Sequence, residues 1–223
     1  MMPLSRRGVL LIGVAVPVAA QPPPTAWQFF SEDQARLVAA MVERLIPADD
    51  AHPGAIAAGV PNYIDRQLAG AHGAGARLFR QGPHKPGLPQ QGYQLPHTPA
   101  ELYRAGLAAM AEHVRTAYGR PFEDLDPRLQ DDILGRVETG ETVFEAIPSA
   151  VFFETLLANT IEGFFCDPIH GGNRDMAGWR MLGFPGGYAG YTELVGRHNL
   201  DLRQEPRGIA ENMARPHGPG HHR

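Results

Sequence analysis

Apolar residues recur every three or four positions in four stretches of the chain, the spacing that aligns side chains on one face of an α-helix. The first stretch opens with Ser31 and Gln34 and the third with Thr98 and Glu101, both in capping-box spacing. In the second, Pro61 occupies a position typical of a first helical turn. The pattern therefore predicts four amphipathic helices with well-marked starts.

Each of these helices has a predicted inward face. The apolar positions assigned to the four faces are Leu37, Val38, Met41 and Leu45; Ile56, Val60, Ile64 and Leu68; Tyr103, Leu107, Met110, Val114 and Ala117; and Leu129, Ile133, Leu134 and Val137. Tyr63 and Asp65 fall off the second stripe, so they are expected on other faces of that helix.

A fifth helix is predicted to start near Ser149, and it is apolar around more than one face. Such a helix belongs at the centre of a bundle. Glu154 and Glu162, close to one face, are expected to be surface charges or hydrogen-bond anchors, because a catalytic pair would need an acid–base or metal partner. Glu162, near the end of the helix, is the better candidate for a buried anchor. The chain is expected to be all-α, an irregular helical domain with long Gly/Pro-rich loops.

The segments between and beyond the helices complete the predicted organisation. Residues 70–97 lose the periodicity and are rich in glycine, proline, glutamine and histidine, which predicts a long loop. The expected divisions are 1–20 as a signal peptide, 21–30 as an extended linker, 31–198 as the helical domain and 199–223 as a polar, disordered tail. Asp49 and Asp50, next to a proline, are expected in a solvated turn.

The first 20 residues have the features of a targeting segment. Arg6 and Arg7 supply the positive end, a short apolar run follows, and the small residues up to Ala20 suit a signal peptidase. The arginine pair resembles a twin-arginine export signal, which is favoured over an ordinary Sec signal, although Val9 stands where phenylalanine is usual. Twin-arginine export carries folded proteins, and a leader of this kind on a chain without a cofactor motif suggests co-export with a partner.

Composition excludes several classes of function. The chain has 223 residues and a formal net charge of −4, with no basic stripe, so nucleic acid is a poor candidate partner. Its single cysteine excludes an internal disulfide framework and a cysteine-rich metal site. The histidines of the 70–97 loop lack regular spacing, and exposed side chains are a better interpretation than a metal site.

The most distinctive stretch runs from residue 161 to residue 187 and reads IEGFFCDPIHGGNRDMAGWRMLGFPGG. Its density of glycine, proline and aromatics predicts a shaped loop with one short helical piece. A nucleotide site is rejected because no strand precedes the glycines and no lysine follows them. Asn173, Arg174 and Asp175 are expected to form a cap network, and Trp179 is either a core residue or an interface anchor.

The pattern DP-x-x-GGNRDMAGW-x-x-x-GFPG in this stretch resembles the gluconate 2-dehydrogenase subunit 3 family, the small subunits of membrane-bound flavin-dependent sugar and sugar-acid dehydrogenases. The family's LIPADD-x-x-PGA-x-x-AGVP and LYRAGLAAM segments are matched at 45–61 and 102–110. The resemblance covers nearly the whole chain apart from the long loop and the tail.

The resemblance implies a non-catalytic accessory subunit without a cofactor of its own. Its partner would be a large FAD-bearing dehydrogenase subunit of the glucose–methanol–choline type, commonly joined by a multi-haem cytochrome c subunit. The complex would lie in the periplasm, held to the inner membrane through the partners. The candidate interface residues are Cys166, Asp167, Gly171, Gly172, Asn173, Arg174, Asp175, Trp179, Phe184 and Pro185.

Cys166 has three interpretations. An unpaired thiol in an exported chain is a candidate for an inter-subunit disulfide, and a small buried residue behind Phe165 is an equal alternative. A nucleophile helped by His170 ranks last, because no oxyanion donors or third orienting group accompany it. Two other functions stay open from the residues alone: a stand-alone periplasmic hydrolase or metal enzyme using Cys166 or the acidic turn, and a small-ligand binding module.

Overall fold

The computed structural model describes residues 26–79, 81–85, 87–88, 90, 92–187, 195–200 and 204–213. Its helices are α1 Glu32–Leu45, α2 Val60–Ala69, α3 Pro99–Tyr118, α4 Pro127–Glu138, α5 Ser149–Phe165, α6 Ala177–Leu182 and α7 Ile209–Met213. Short 3-10 turns lie at Phe122–Asp124, Pro168–His170 and Arg174–Met176. Across these residues the β-structure is an isolated bridge between Gly186 and Arg207, so the all-α prediction is confirmed.

Both predicted capping boxes are present. The Ser31 hydroxyl accepts from the Gln34 amide at 3.3 Å, and the Gln34 side chain accepts from the Ser31 amide at 3.0 Å. At the start of α3, Thr98 and Glu101 exchange the corresponding pair of bonds. These boxes satisfy amides that a helix start otherwise leaves unpaired, which is why the sequence marks both starts so clearly.

Helix α5 lies at the centre of the bundle, as its apolar circumference predicts. It packs against α1, α2, α3, α4 and α6. Helix α3 approaches α5 most closely at Gly106, where a Cβ would stand 2.2 Å from the Phe152 ring of α5. Asn159 of α5 donates to the buried Tyr103 hydroxyl at 3.0 Å, so the one polar pair at this contact is satisfied.

Most predicted inward positions are buried, Leu45 and Leu129 are partly buried, and Ile56 and Ala117 are exposed. Ile56 is 47% exposed because it precedes α2 in an irregular turn rather than extending the stripe of that helix. Ala117 is exposed near the end of α3, and Leu102 and Gly106, in the first half of that helix, are buried although neither was expected on its inward face. Tyr63 and Asp65, expected off the stripe, are both buried, because α2 is covered on more than one face.

Asp65 corrects the predicted start of the domain. Its carboxylate, 3% exposed, accepts from the backbone amides of Gln28 at 2.8 Å and of Phe29 and Phe30 at 2.9 Å. Phe30 is itself in the core. The folded domain therefore includes residues 26–30, which were assigned to the linker, because a buried carboxylate must find donors and these amides supply them.

The other two non-helical predictions have mixed outcomes. The described parts of 70–97 are irregular, as expected, although Tyr93 and Leu95 pack against the core. The disordered tail from 199 is wrong for residues 204–213: Gly187 donates to the Arg207 carbonyl at 2.8 Å, and α7 follows. The leader with Arg6 and Arg7 lies outside the described residues.

Candidate functional site

We call residues 167–186, which carry the family-like pattern, the motif; they follow the end of α5. After Phe165 the chain turns at Asp167, whose carboxylate accepts from the Ile169 amide at 3.1 Å, as an Asx turn requires. The other Asp167 oxygen accepts from the Ile209 amide at 2.8 Å. This side chain therefore shapes the first turn of the motif and also ties α7 to it.

The glycines of the motif allow it to lie against α5. A Cβ on Gly172 would stand 2.1 Å from the Gly163 carbonyl oxygen, and one on Gly178 would stand 2.3 Å from the Phe164 carbonyl oxygen. The Asn173 amide donates to that Gly163 carbonyl at 2.8 Å. The absence of side chains at these glycines thus allows a close approach to this chain's own central helix.

Asn173 is the centre of the local hydrogen-bond network. Its side chain, fully buried, donates to the Cys166 carbonyl at 2.8 Å and accepts from the Gly178 amide at 2.8 Å. The second bond satisfies an amide in the first turn of α6, although the N-cap residue of that helix is Met176 and not Asn173. Asp175 contributes differently: its side chain is exposed, and its carbonyl accepts from Arg180 at 3.1 Å.

Arg174 joins the motif to the turn before α2. Its amide donates to the Ala58 carbonyl at 2.8 Å, and its guanidinium reaches the Ala57 carbonyl at 3.5 Å. Gly59 in that turn has a φ of +82° and lies beside the Gly171 carbonyl oxygen, 3.1 Å from where its Cβ would be. Two segments that resemble the same family therefore fold against each other.

Trp179 is a core residue within this chain. It is 7% exposed, and its indole N–H donates to the Phe165 carbonyl at 2.7 Å. Phe184 stacks on it edge-to-face at 5.3 Å between ring centroids and remains 46% exposed. Of the candidate interface residues, Gly172, Asn173 and Trp179 are thus covered by the chain, whereas Arg174, Asp175 and Phe184 reach the surface.

Cys166 is half-buried beside the motif. Its thiol donates weakly to the Gly163 carbonyl at 3.5 Å. Burial raises its pKa to about 11, and the nearby Gly172 amide offsets only part of that rise. A thiol with a raised pKa is protonated at neutral pH and is a poor nucleophile. His170 is exposed, so this environment does not favour the cysteine–histidine hypothesis.

Two carboxylate predictions have clear outcomes. Glu162 is exposed, so the buried-anchor prediction is wrong and the surface-charge alternative fits, and its carboxylate accepts from the Tyr63 hydroxyl at 3.4 Å. Burial of that hydroxyl, with Glu162 beside it, raises the pKa of Tyr63. Asp49 is exposed and accepts from the Ala51 and His52 amides, which confirms the solvated turn and lowers its pKa.

Two residues with structural roles have no direct signal in the sequence. Asp65 looks like a surface acid in an amphipathic pattern. Its carboxylate accepts from the backbone amides of residues 28–30, and this contact is not visible in the sequence. Arg207 pairs with the motif through backbone atoms, which any residue type supplies. Both contacts join positions far apart in the chain, so local periodicity does not reveal them.

The described residues offer limited means of holding a metal. No group of three or more histidine, cysteine, aspartate or glutamate side chains among them is arranged to bind an ion. The same part of the chain contains no helix that is both long and apolar enough to span a membrane.

Comparison with known proteins gives one match. The model of the family described as Gluconate 2-dehydrogenase subunit 3 matches residues 32–186, which include α1 to α6 and the whole motif. Neither the curated proteins nor the solved structures include a match. Because the matched region is well over half of the sequence and carries its helical core, this chain belongs to the gluconate 2-dehydrogenase subunit 3 family.

Proposed function

We propose that this chain is the non-catalytic small subunit of a periplasmic, membrane-associated, FAD-dependent dehydrogenase complex that oxidises a sugar, sugar acid or alcohol. The observation that carries the proposal is the family match over residues 32–186. In this proposal the flavin and the substrate-binding base belong to a large glucose–methanol–choline-type subunit. A multi-haem cytochrome c subunit would pass the electrons to the membrane.

The proposed role is maturation, twin-arginine co-export and stabilisation of the large subunit. A protein that binds only the folded form of a partner stabilises that form by mass action. The arginine pair Arg6-Arg7 would direct the assembled complex to the export route for folded proteins. The protonated, half-buried thiol of Cys166 supports a structural role over hydrolysis.

The first experiment is gentle purification through a tag on this chain from its native host. We expect a co-purifying chain with the absorption spectrum of bound flavin, and dehydrogenase activity with a sugar or sugar acid. The separated small subunit should be colourless. Recovery of the tagged, exported chain alone and without colour would contradict the proposal.

The export role has its own test. Arg6→Lys with Arg7→Lys keeps the positive charge that a Sec signal needs but removes the pair that a twin-arginine signal needs. We expect both this chain and the flavin subunit to stay in the cytoplasm. Normal export of both proteins would instead support a Sec leader and an independent route for the partner.

Cys166 is proposed as the link to the partner through an inter-subunit disulfide. The complex should then migrate as one species on a denaturing gel without reductant and as two with it. Cys166→Ser should give two species in both conditions. An unchanged pattern with and without reductant in the wild-type complex would leave the thiol as a packing residue only.

A further inference from the structure

Two arginines from different elements lie over the neighbouring glycines Gly171 and Gly59. A Cβ placed on Gly171 would stand 2.6 Å from an Arg66 guanidinium nitrogen, so the α2 side chain lies directly over this glycine. A Cβ on Gly59, which borders Gly171, would stand 3.5 Å from an Arg174 guanidinium nitrogen. The fold therefore brings two positive charges to one small area of an acidic chain.

Neither arginine is neutralised by a carboxylate within the described part of the chain. Arg44, in contrast, is held by Asp131 through two bonds of 2.7 and 2.8 Å, and Arg180 is paired with Glu205. Both Arg66 and Arg174 are exposed, and the one side-chain bond of Arg174 is the long contact to Ala57.

Among the described residues, the acidic side chains nearest along the motif do not pair with either arginine. Glu162 accepts from Tyr63, and Asp167 accepts from backbone amides. Asp175 follows Arg174 directly and is exposed without pairing to it. Adjacent like charges disfavour each other, and a carboxylate from outside the chain would relieve this repulsion.

The turns on either side of this contact also carry exposed apolar side chains. Ile56 and Ile169, each 47% exposed, come from the two turns that Arg174 and Gly171 hold together. We name Arg66, Arg174, Ile56 and Ile169 the arginine face. Arginine combined with exposed aliphatic side chains is typical of protein–protein interface cores rather than of ordinary solvated surface.

We propose that the arginine face is where this subunit binds the large flavin subunit, and that each guanidinium pairs with an Asp or Glu carboxylate of that partner. Arginine suits this role because its planar fork makes two parallel bonds to one carboxylate. The inference rests on the proposed function and adds to it the residues of contact and the chemistry of the partner surface.

The test uses the tagged chain in the complex, with flavin absorbance per tagged chain as the readout. The main variant is Arg66→Glu with Arg174→Glu. The matched control is Arg120→Glu with Arg128→Glu, which makes the same change in charge at two exposed arginines outside this face. We expect the main variant to bind the flavin subunit at least about tenfold more weakly, and the control to bind it normally.

A second variant and a salt titration keep the test independent of folding defects. Arg66→Lys with Arg174→Lys keeps the charge and removes the fork, so binding should fall less than with glutamate. Wild-type binding should weaken as salt is raised, and the glutamine pair at the same positions should show a flatter salt dependence. Circular dichroism melting shows whether each variant is folded.

The outcomes separate the two proposals. If wild type captures flavin and the folded glutamate variant captures as much as the control, the inference about this face is wrong while the proposed function stands. If wild type itself captures no flavin subunit, the proposed function fails and this inference fails with it. Arginine-dependent binding to anionic phospholipid vesicles with unchanged flavin capture would also overturn it.

Discussion

Asn173 is the residue on which the local structure of the motif depends most. It lies in the left-handed region at φ 44° and is fully buried, with one bond to the end of α5 and one to the start of α6. Asn173→Ala would leave the partly buried Cys166 carbonyl and the buried Gly178 amide without these partners. We expect a loss of about 2–4 kcal/mol in the free energy of unfolding, measured by urea denaturation.

Asn199 provides the matched control for that substitution. It also has a positive φ, 59°, but its side chain is exposed. Asn199→Ala changes the same residue type in the same backbone region without burying unpaired groups, so it should cost about 1–2 kcal/mol at most. Equal losses in the free energy of unfolding for the two variants would show that the side-chain hydrogen bonds of Asn173 contribute nothing beyond its backbone preference.

Cys166 gives a pH-dependent prediction at the same scale. Burial raises its pKa to about 11, so in the folded, reduced chain the thiolate forms well above neutral pH. Alkylation by iodoacetamide at pH 8 should be at least about tenfold slower than in the guanidinium-unfolded chain, and should keep rising toward pH 11. Because Cys166 is the chain's only cysteine, no other thiol contributes to the alkylation signal. A folded-state rate that levels off near pH 8 would contradict the assigned environment.

The same raised pKa affects stability in a defined pH window. The unfolded chain loses its thiol proton at a lower pH than the folded chain does, so the folded state binds more protons between these two pKa values. The contribution to stability is complete below the ordinary thiol pKa and is lost as pH rises toward 11. Cys166→Ser should remove this part of the alkaline destabilisation.

At the scale of elements, Asp65 of α2 holds the segment before α1. Asp65→Ala would leave the amides of residues 28–30 without their acceptor near the core, so we expect a loss of about 3 kcal/mol or more in the free energy of unfolding. Trp27 emission should shift to the red as the segment separates. Asp50→Ala, at an exposed turn, is the control and should change neither quantity.

Replacing either of two helix glycines, Gly163 and Gly135, by alanine is expected to change the stability of the chain in opposite directions. A Cβ on Gly163 of α5 would stand 2.8 Å from the Tyr63 ring, whereas one on Gly135 of α4 has nothing within 4 Å. Gly135→Ala should stabilise the chain by about 0.5–1 kcal/mol through helix propensity. Gly163→Ala should destabilise it despite the same propensity gain, which thermal unfolding would show. Stabilisation by both would contradict the close α2–α5 contact.

These elements also show where sequence reasoning was sufficient. The capping boxes at Ser31 and Thr98 were predictable because they involve residues three apart, which local geometry brings together. The central position of α5 followed from its apolar circumference. The exposure of Ile56 was not predictable from spacing, because the stripe with Val60 continues across a turn that is not helical.

The motif was recognisable from sequence, but its internal geometry was not. The glycines of the motif lie against the end of α5, and glycine spacing alone does not identify that surface. From the sequence, Trp179 was equally compatible with a core and an interface position. In the folded chain it is buried and its indole N–H bonds to the Phe165 carbonyl, a contact that local sequence does not indicate. Contacts between distant segments, such as Asp167 with Ile209, have no local sequence signal.

At the scale of the whole molecule, one core connects the N-terminal segment to the helices. The rings of Phe30, Tyr103, Phe152 and Phe144 follow one another at centroid distances of 5.9 to 6.3 Å, so they link the N-terminal segment, α3, α5 and the loop before α5. Most buried apolar residues form one cluster that spans α1 to α5, and Met176 and Trp179 are buried outside it. Such a core is expected to unfold in one step.

The two tryptophans allow that expectation to be measured at separate parts of the molecule. Trp27 packs near Phe30 at the start of the domain, and Trp179 is buried in the motif after α5. Trp27→Phe and Trp179→Phe each leave one reporter, and in each variant fluorescence should give the same urea midpoint as far-UV circular dichroism, because all three signals follow one transition. A lower fluorescence midpoint when Trp179 is the reporter would mean that the motif detaches before the helical core. The motif would then need its partner to stay folded, and mass action from the bound flavin subunit should restore the common midpoint.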